Sequence, residues 1–371
     1  MSKVSELIKE LCPNGVKFYK IKEISSVTIG EFVHKNKQSD DGQYPVYNGG
    51  TSNTGFYDEY NNDGHKVIIS ARGANAGFIN RVKGKYWAGN SCYTININDE
   101  SKLDWNYLYQ YLKNNQSTLL GVQQTGSIPA ISKKQVEDFK IAIPPIEVQE
   151  EIVRILDKFG ELEAELEAEL EARKSQYEFW REELFKDSTN LITIGEACDV
   201  LTGGEPPEDT IKGIERDDEH PYPVYGNGKE IYGYSSSYRV DKDSTVISSI
   251  GANTGAIYYR QAFFTPIIRL KVVVPKSDNL LPRYLYYALQ TSKFKSKSGS
   301  VPNLNANDIK SIRFPLVSIE EQKRIVNILD KFEKLISDIS IGLPAEIELR
   351  RKQYEYYRNK LLSFEELSVS E

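Results

Sequence analysis

Nearly the same string of sixteen residues occurs twice in this chain, and that repeat limits the possible folds more than any other feature. Residues 144–159 read PPIEVQEEIVRILDKF, and residues 317–332 read VSIEEQKRIVNILDKF. Between 149–159 and 322–332, eight of eleven positions are identical. Helix propensity alone would not produce this identity, because several residue types form helices about equally well. The repeat therefore predicts that one structural plan is built twice.

Further matches extend the repeat over most of the chain. YPVY at 44–47 recurs at 222–225, and SARGANAGFI at 70–79 recurs as SSIGANTGAI at 248–257, both 178 residues later. TGSIPAIS at 125–132 matches SGSVPNLN at 298–305, with an offset of 173. A repeat of this length predicts two copies of one domain that differ by a five-residue loop. We call residues 1–146 head one and residues 188–318 head two.

A helical segment follows each head, at residues 147–187 and 319–363. Apolar residues recur at three- and four-residue steps in both segments, which predicts a coiled-coil-like seam. They are Phe159, Leu162, Leu166, Leu170, Tyr177, Trp180 and Leu184 in the first, and Ile325, Leu329, Phe332, Ile339, Leu343, Ile347, Tyr354, Tyr357 and Leu361 in the second. We expect Tyr177, Trp180, Tyr354 and Tyr357 in the seam core, with a docking role as the alternative. Pro344 should break or kink the second segment.

The connections between these parts predict an arrangement. The first helical segment joins the two heads, and at 1.5 Å per residue it spans roughly 60 Å. The second segment leaves head two and has no further domain to enter, so packing against the first requires an antiparallel return. The tails RKSQYEFWREELF and RKQYEYYRNKLL align at an offset of 177. The second segment has therefore gained four residues, about one turn, which keeps its seam on the same face.

These features predict a mixed α/β fold. Two similar strand-rich domains should be separated by a pair of long antiparallel coiled-coil-like helices, with pseudo-twofold symmetry. The predicted division is 1–146, 147–187, 188–318 and 319–363, with a C-terminal tail at 364–371. Within the heads, HKVIIS, STVISS, CYTINI and IIRLKVVV predict strands, and DWNYLYQYLKN and PRYLYYALQTS predict helices.

The net charge of −6 is unevenly distributed. Residues 147–187 hold 14 acidic and 6 basic residues, whereas residues 1–146 hold 17 basic and 14 acidic residues and 188–318 hold 15 and 14. The heads are thus weakly basic. RRK at 350–352 could pair with the Glu-rich face of the first helical segment, although a solvated acidic face would account for the charge equally well.

Several broad classes of protein are disfavoured by the sequence. The longest apolar runs fall far short of the roughly 20 residues of a membrane span, and the N-terminus reads as an amphipathic helix without the apolar core of a signal peptide. A cytoplasmic protein is therefore expected. Scattered cysteines and histidines predict neither disulfides nor a metal site, since none has ligand-like spacing; they are Cys12, Cys92, Cys198, His34, His65 and His220.

No catalytic motif is recognisable. The repeated GANxG sequence follows a strand, but it lacks the GK[ST] ending of a P-loop and the spacing of a dinucleotide fold, so a structural turn is favoured over a phosphate cradle. No G-x-S-x-G or H-E-x-x-H occurs. The acidic run ERDDEHP at 215–221 could hold a cation, but its acids lie in one loop, and a solvated loop is the better interpretation. We expect the chain itself to catalyse no reaction.

The composition of the heads suits a binding protein. The chain holds 24 tyrosines, many in QYPVYNGGTSNTGFYDEY and YPVYGNGKEIYGYSSSY, mixed with Asn, Ser, Thr, Lys and Arg. Such a polar and aromatic surface fits DNA, where phosphate contacts position a protein and base-edge contacts give specificity. It would fit a protein or sugar partner as well.

The sequence resembles the specificity subunits of type I restriction-modification enzymes. The resemblance rests on LCPNGVKFYKIKEI near the N-terminus, the repeated YPVY segment, ISARGANAG, TGSIPAIS with SGSVPNLN, and above all IPPIEVQEEIVRILDKF with its repeat. It covers nearly the whole chain. The second copy departs from the pattern, because Val317 and Ser318 replace the two prolines at the junction.

The resemblance implies a DNA-binding function in host defence. Each head would be a target recognition domain that reads one half of a bipartite, asymmetric target in double-stranded DNA, and the paired helices would set the unread gap. Two modification subunits would dock on the chain and methylate one adenine in each half, and restriction subunits would join them for cleavage. S-adenosylmethionine, ATP and Mg²⁺ would bind those partners, so no cofactor is expected on this chain.

Candidate DNA-binding residues combine a loop position with a polar or basic side chain. In head one they are Arg72, Lys83, Lys85, Gln123, Gln124, Thr125 and Ser127, and in head two Lys229, Arg239, Arg260, Lys295, Lys297, Ser298 and Ser300. Arginine and glutamine can bond bidentately to guanine and adenine edges. For each lysine, an ordinary solvated charge is the alternative. Arg72 aligns with Ile250, so a contact there would help the heads to read different bases.

Two other functions stay open from the residues alone. A two-headed adaptor that binds proteins instead of DNA would suit the same architecture. A free-standing enzyme is disfavoured, because the motifs that such chemistry needs are missing. DNA binding that weakens steeply with salt would separate the first function from the adaptor.

Overall fold

The structure, a computed structural model, describes residues 3–120, 129–186, 190–213, 215–291, 303–338 and 341–367. The chain divides into two compact units. The first comprises Met1–Glu165 and Ile347–Glu371, and the second comprises Leu166–Glu346. Each unit therefore contains one head and a part of both helical segments. The mixed α/β class predicted from the sequence is confirmed.

Head one begins with the predicted N-terminal helix and alternates short strands with short helices. Its strands are β1 (Phe18–Lys20), β2 (Ser25–Ile29), β3 (Tyr44–Tyr47), β4 (Phe56–Tyr57), β5 (Lys66–Ser70), β6 (Ile79–Val82), β7 (Trp87–Ala88), β8 (Cys92–Ile97) and β9 (Lys140–Ala142). Its α-helices are α1 (Lys3–Leu11), α2 (Ile21–Ile24), α3 (Trp105–Asn114), α4 (Gln116–Leu120) and α5 (Lys133–Asp138), and Lys35–Lys37 forms a single 3-10 turn.

The main sheet of head one has the strand order β2-β8-β5-β6, with antiparallel neighbours throughout. Val67 and Ile69 of β5 face the larger core, together with Leu108 of α3, whereas Ile68 faces a second cluster that contains Tyr86. Burial on both faces explains why β5 reads as a continuous apolar run without alternation. A smaller sheet of order β4-β3-β7 contains a parallel pair, β3 with β7.

A long helix, α6 (Ile146–Lys186), follows head one. The strands of head two are β10 (Leu191–Thr193), β11 (Cys198–Thr202), β12 (Ile211–Lys212), β13 (Tyr222–Tyr225), β14 (Gly233–Ser235), β15 (Ser244–Ile247), β16 (Ile257–Arg260), β17 (Thr265–Pro266), β18 (Lys271–Pro275) and β19 (Arg313–Pro315). Its helices are α7 (Ile194–Ala197), α8 (Pro282–Gln290) and α9 (Ala306–Lys310). The predicted helices α3 and α8 are confirmed.

Head two repeats the topology of head one. Its main sheet has the order β11-β18-β15-β16, which matches β2-β8-β5-β6 strand for strand. β13 pairs with β17 in parallel, as β3 pairs with β7. The short antiparallel pair β1 with β9 reappears as β10 with β19. The predicted duplication of one domain plan is thereby confirmed at the level of strand register.

The predicted start of one strand in head two was wrong. IIRLKVVV was expected to be extended from residue 267, but β18 begins only at Lys271. Ile268 and Arg269 have φ angles of 52° and 60°, in the left-handed region, so the chain turns before the strand begins. β-branched and long side chains rarely adopt this conformation, which is why the sequence pattern indicated a strand.

The second helical segment is two helices, α10 (Ile319–Ser337) and α11 (Leu343–Leu361). The predicted interruption is confirmed, since α10 ends at Ser337 and Pro344 is the second residue of α11. Proline is tolerated in the first turn of a helix, where its missing N–H would have no partner within the helix. Ser318 caps the start of α10 by accepting a hydrogen bond from the N–H of Glu321.

Within the first unit, α6 and α11 pack through aromatic rings. The ring of Phe159 stacks on Tyr357 with centroids 5.5 Å apart and lies 6.2 Å from Tyr354. Arg351 Nε donates to Glu163 Oε1 at 2.5 Å, so one residue of the basic run pairs with the Glu-rich face, which is one of the two alternatives left open by the sequence. Two such long side chains on the surface contribute little stability, so the aromatic seam carries most of the packing energy.

The predicted seam residues are not all buried. Tyr177 is 8% exposed and belongs to the core of the second unit, and Tyr354 packs against the core of the first. Trp180 and Tyr357 are each 43% exposed. The assignment of Trp180 to the seam core was therefore wrong, because its ring contacts its neighbour Phe179 at the surface (centroids 5.6 Å apart).

The repeated glutamine fastens each helix to its head. Gln149 is fully buried, donates to the carbonyls of Lys102 (2.8 Å) and Pro144 (2.7 Å), and accepts from the N–H of Asp104 (2.9 Å). Gln322 is also fully buried and makes the same three bonds, to the carbonyls of Asn279 and Val317 and from the N–H of Leu281. An amide satisfies two acceptors and one donor here, which an apolar side chain could not do. The duplicated string is therefore a head-to-helix clamp.

The three cysteines are buried, and none forms a disulfide bond. No helix in the part of the chain that the structure describes is both long and apolar enough to cross a membrane. In the acidic loop, Asp217 Oδ1 accepts bonds from the N–H of Glu219 and of His220 (3.0 and 2.6 Å) and contacts His220 Nδ1 at 2.8 Å, so this carboxylate stabilises the turn itself.

Candidate functional site

Four segments meet at one edge of head one, each where a strand ends or a loop returns. They are residues 47–50 after β3, 71–78 between β5 and β6, 89–91 between β7 and β8, and 129–131 before α5. Gly89 N–H donates to the carbonyl of Tyr47 (2.8 Å), and Ala71 N–H donates to that of Ser91 (2.8 Å). Ile131 N–H donates to the carbonyl of Ala71 (2.9 Å). We call these four segments the strand-end surface of head one.

Head two builds the same surface from residues 225–228, 249–256, 267–269 and 303–304. Ile267 N–H donates to the carbonyl of Tyr225 (2.9 Å), and Leu304 N–H donates to that of Ser249 (2.9 Å). Ser248 Oγ donates to the carbonyl of Asn227 at 2.6 Å. The backbone framework is thus kept while the side chains on it differ. Loops held on a rigid scaffold are the usual location of binding residues.

The GANxG sequences form the hairpin turns of this surface. Gly77 N–H donates to the carbonyl of Ser70 (2.7 Å), and Gly255 N–H donates to that of Ser248 (2.9 Å). Ala76, Phe78, Thr254 and Ala256 donate within the turns as well. The first and last glycines have φ between 81° and 89°, a conformation that glycine adopts without steric cost. Because these amides are engaged inside the turn, the contacts support the structural-turn interpretation over a phosphate cradle.

Arg72 lies on the strand-end surface as predicted from its place in the turn. Its backbone pairs with Ala130, and its exposed side chain has no partner among the described residues. Ile250 takes the equivalent place in head two and pairs with Asn303. The two heads therefore present different side chains from one backbone position.

The structure does not bring Lys83 and Lys85 to Arg72. Val82, which precedes them, pairs with Lys66 at the start of β5, whereas Arg72 follows the end of that strand. The two ends of β5, Lys66 and Ser70, are four residue steps apart, at ~3.3 Å per step. Lys85 Nζ lies 4.3 Å from the ring centre of Tyr60, whose hydroxyl raises the pKa of this lysine.

Arg260 is held inside head two. Its Nη2 donates to the carbonyls of Gly228 (3.2 Å) and Lys229 (2.7 Å), and its guanidinium stacks 3.8 Å from the ring centre of Tyr225. Burial lowers its pKa. With these donors used on the backbone of its own head, the side chain stabilises the turn at 226–229, which argues against a direct contact with DNA.

Lys229 and Arg239 are exposed at the surface of head two. Arg239 has its Nη1 3.3 Å from the point where a Cβ on Gly204 would lie, and Gly204 accepts a bond from the N–H of Ile268 (2.9 Å). Arg239 therefore lies beside the strand-end surface. Eight other predicted residues lie outside the described residues: Gln123, Gln124, Thr125, Ser127, Lys295, Lys297, Ser298 and Ser300.

Ile268 and Arg269 are not among the residues predicted from the sequence. Both are exposed on the strand-end surface, where head one has Asn90 and Ser91. The repeat does indicate a turn at this place, because Gly89 and Asn90, which are typical of turns, align with Ile267 and Ile268 of head two. The β-branched residues of IIRLKVVV led to the prediction of a strand in place of this turn.

Comparison with known proteins gives a consistent family. The family model described as Type I restriction modification DNA specificity domain matches residues 13–172 and again 187–349. A type I specificity subunit of Mycoplasma pneumoniae is 34% identical over 326 residues, which cover 82% of this chain and 95% of the relative. The specificity subunit of a type I restriction enzyme of Escherichia coli is 33% identical and shares 72% of each chain.

Solved structures agree in fold. The S subunit of a type I restriction-modification system from M. genitalium superposes with a TM-score of 0.63 at 19% identity, over 94% of this chain and 96% of that one. The specificity subunit from Thermoanaerobacter tengcongensis gives 0.52 at 17% identity, over 95% and 97%. On the family model, which matches the chain twice over most of its length, this protein belongs to the specificity subunits of type I restriction-modification systems.

Proposed function

We propose that each head of this specificity subunit reads one half of a bipartite, asymmetric DNA target. The observation that carries the proposal is the strand-end surface, which is built twice on one hydrogen-bonded framework with different exposed side chains. Two different readers on the same scaffold suit two different half-sites. Arginine side chains such as Arg72 and Arg239 can contact phosphates or bond bidentately to guanine.

The helices α6, α10 and α11 are proposed to set the unread gap and to carry the partner subunits. Two modification subunits would bind the chain, one for each repeat, and restriction subunits would join that complex. The S-adenosylmethionine, ATP and Mg²⁺ sites would lie on those partners, and the flipped adenine would enter a partner pocket. This chain would contribute recognition and assembly without catalysing a step.

A first experiment tests DNA binding by the chain in complex with its modification subunits. Mobility-shift titrations with random-sequence and genomic duplexes at several salt concentrations should show affinity that falls steeply with salt, because phosphate contacts release counterions. Binding that does not depend on salt, or no binding, would support the protein-binding adaptor instead. Long-read mapping of methylated adenines in the host genome should then reveal one motif with two half-sites.

A second experiment tests the division of labour between heads and helices. Four residues, about one turn, are removed from α6 within 161–172 and four from the second helical segment. The mapped motif should keep the same bases in both half-sites and change only the gap between them. A change in the bases of either half-site would contradict a spacer role for the helices.

A further inference from the structure

A strained pair of residues stands on the strand-end surface of head two. Among the residues that the structure describes, three non-glycine residues have positive φ, namely Phe263 (68°), Ile268 (52°) and Arg269 (60°). For a β-branched residue this conformation is a genuine outlier. Such strain persists only where the surrounding structure enforces it, and it concentrates at functional positions.

Hydrogen bonds from three directions enforce the conformation. Ile268 N–H donates to the carbonyl of Gly204 (2.9 Å), and Arg269 N–H donates to that of Gly203 (3.0 Å). Ser249 Oγ donates to the carbonyl of Arg269 at 2.6 Å, and Asn227 Nδ2 donates to that of Ile268. Every backbone polar group of the pair therefore has a partner, and the turn is fixed before any ligand arrives.

The fixed turn directs both side chains outward. Ile268 is 46% exposed, and Arg269 is exposed with no partner for its guanidinium among the described residues. Arg239 lies next to this turn through Gly204. Neither side chain belongs to the hydrophobic core clusters of the described part of head two, so core packing does not explain them.

The equivalent segment of head one has other residues and another backbone conformation. Gly89, Asn90 and Ser91 align with Ile267, Ile268 and Arg269, and neither Asn90 nor Ser91 has a positive φ. The unpaired arginine of that surface is instead Arg72, whose equivalent in head two is Ile250. The common framework thus presents its arginine from a different segment in each head.

We propose that Ile268 and Arg269 form a base-reading element that head one lacks. Arg269 donates bidentately to the O6 and N7 acceptors of one guanine in the major groove, and Ile268 makes apolar contact with a neighbouring thymine methyl group. This inference rests on the proposed DNA-reading function and assigns specificity residues within it.

The test uses the full chain in complex with its modification subunits. Methylation rates are measured on duplexes that carry the mapped motif with every position of both half-sites varied in turn. Arg269→Ala should lower the preference at one G·C position of one half-site by roughly ten- to a hundredfold. The other half-site and the gap should stay unchanged. Lys242→Ala, which removes another exposed cation of head two, is the matched control and should leave every preference intact.

Ile268→Gly separates a reading role from a structural one. Glycine relieves the left-handed strain, so the melting temperature should not fall and should rise by roughly 3 °C. The preference for thymine at the neighbouring position should nevertheless weaken by roughly tenfold. A variant with a higher melting temperature and unchanged base preference would contradict the proposal for Ile268.

Two results overturn the inference while leaving the proposed function in place. One is an Arg269→Ala complex with all preferences of the unaltered complex. The other is a uniform loss of rate on all sequences, which would make Arg269 a phosphate contact. If the unaltered complex itself shows no bipartite preference, the proposed function fails and this inference with it.

Discussion

Tyr47 in head one and Tyr225 in head two occupy the same place in the repeat, yet they pack against different neighbours. Each ring meets one aromatic partner edge-on at 5.9 Å, Tyr86 in one case and Phe264 in the other. Tyr47 otherwise packs against an apolar cluster that includes Val82. At the position of Val82, head two has Arg260, which stacks on Tyr225.

The two copies have diverged at some positions and not at others. Positions that join the head to its helix, such as Gln149 and Gln322, keep both residue and hydrogen bonds. At two other equivalent pairs, Val82 with Arg260 and Arg72 with Ile250, one copy has an apolar side chain where the other has a basic one. A shared framework with divergent surface residues fits the proposed reading of two different half-sites.

The largest expected effect tests the shared framework. Leu156 and Leu329 are equivalent and almost completely buried in their units. Leu156→Ala and Leu329→Ala should each lower the free energy of unfolding by about 2–5 kcal/mol, because each leaves a cavity. Urea unfolding curves measure both, and Leu349→Ala, at an exposed position, is the control. A loss of stability in one variant without a similar loss in the other would show that the two leucines do not have equivalent packing roles.

The next effect concerns the head-to-helix clamp. Gln149→Ala and Gln322→Ala each remove three hydrogen bonds and leave buried backbone groups without partners. A cost of about 1–3 kcal/mol is expected for either variant, again by urea unfolding. Gln149→Met and Gln322→Met preserve side-chain volume and should cost nearly as much. Full stability of the methionine variants would show that volume, not hydrogen bonding, explains the repeated glutamine.

A smaller effect on stability is expected where the two heads differ in their arginines. Arg260→Met keeps the apolar stem but removes the bonds to the turn at 226–229, so a loss of about 1 kcal/mol is expected. Arg72→Met alters an exposed side chain and should change stability by less than about 0.5 kcal/mol. Thermal unfolding of both variants checks this. If Arg260→Met is neutral in stability but changes base preference, Arg260 is a reader after all.

The smallest effect is one of reactivity. Burial raises the pKa of Cys92 and of Cys198 to about 12, and it raises that of Cys12 as well. At pH 8 only about one thiol in ten thousand would be ionised at pKa 12, so alkylation of native Cys92 and Cys198 should be very slow. Mass spectrometry after timed iodoacetamide treatment measures it. Rapid labelling of either cysteine in the folded chain would contradict the burial.

The same thiols give a pH dependence of stability. In the unfolded chain they ionise near pH 9, whereas in the folded chain they stay protonated up to about pH 12. The unfolded state therefore binds fewer protons between these values, and stability should fall as pH rises through this window. Serine at both positions should reduce that slope in urea titrations above pH 9.

Much of the fold could be predicted from the sequence by itself. The repeat predicted two heads built on one plan, since similar strings in the same order along the chain favour similar folds. Periodicity placed α6 and α11, and the helix-breaking chemistry of Pro344 placed the interruption. Local patterns carry such information because helix and turn preferences depend on residues close together in the chain.

Contacts between residues far apart in the chain determine which side chains the strand-end surface presents. Arg260 was predicted as a DNA contact from its basic side chain, but its Nη2 donates to the carbonyls of Gly228 and Lys229 in its own head. Ile268 and Arg269 read as strand residues, yet hydrogen bonds hold them in a left-handed turn. They donate to the carbonyls of Gly204 and Gly203 and accept from the side chains of Asn227 and Ser249, all distant in sequence. Long-range hydrogen bonds outweigh a local conformational preference of about 1–2 kcal/mol per residue, and no local pattern records them.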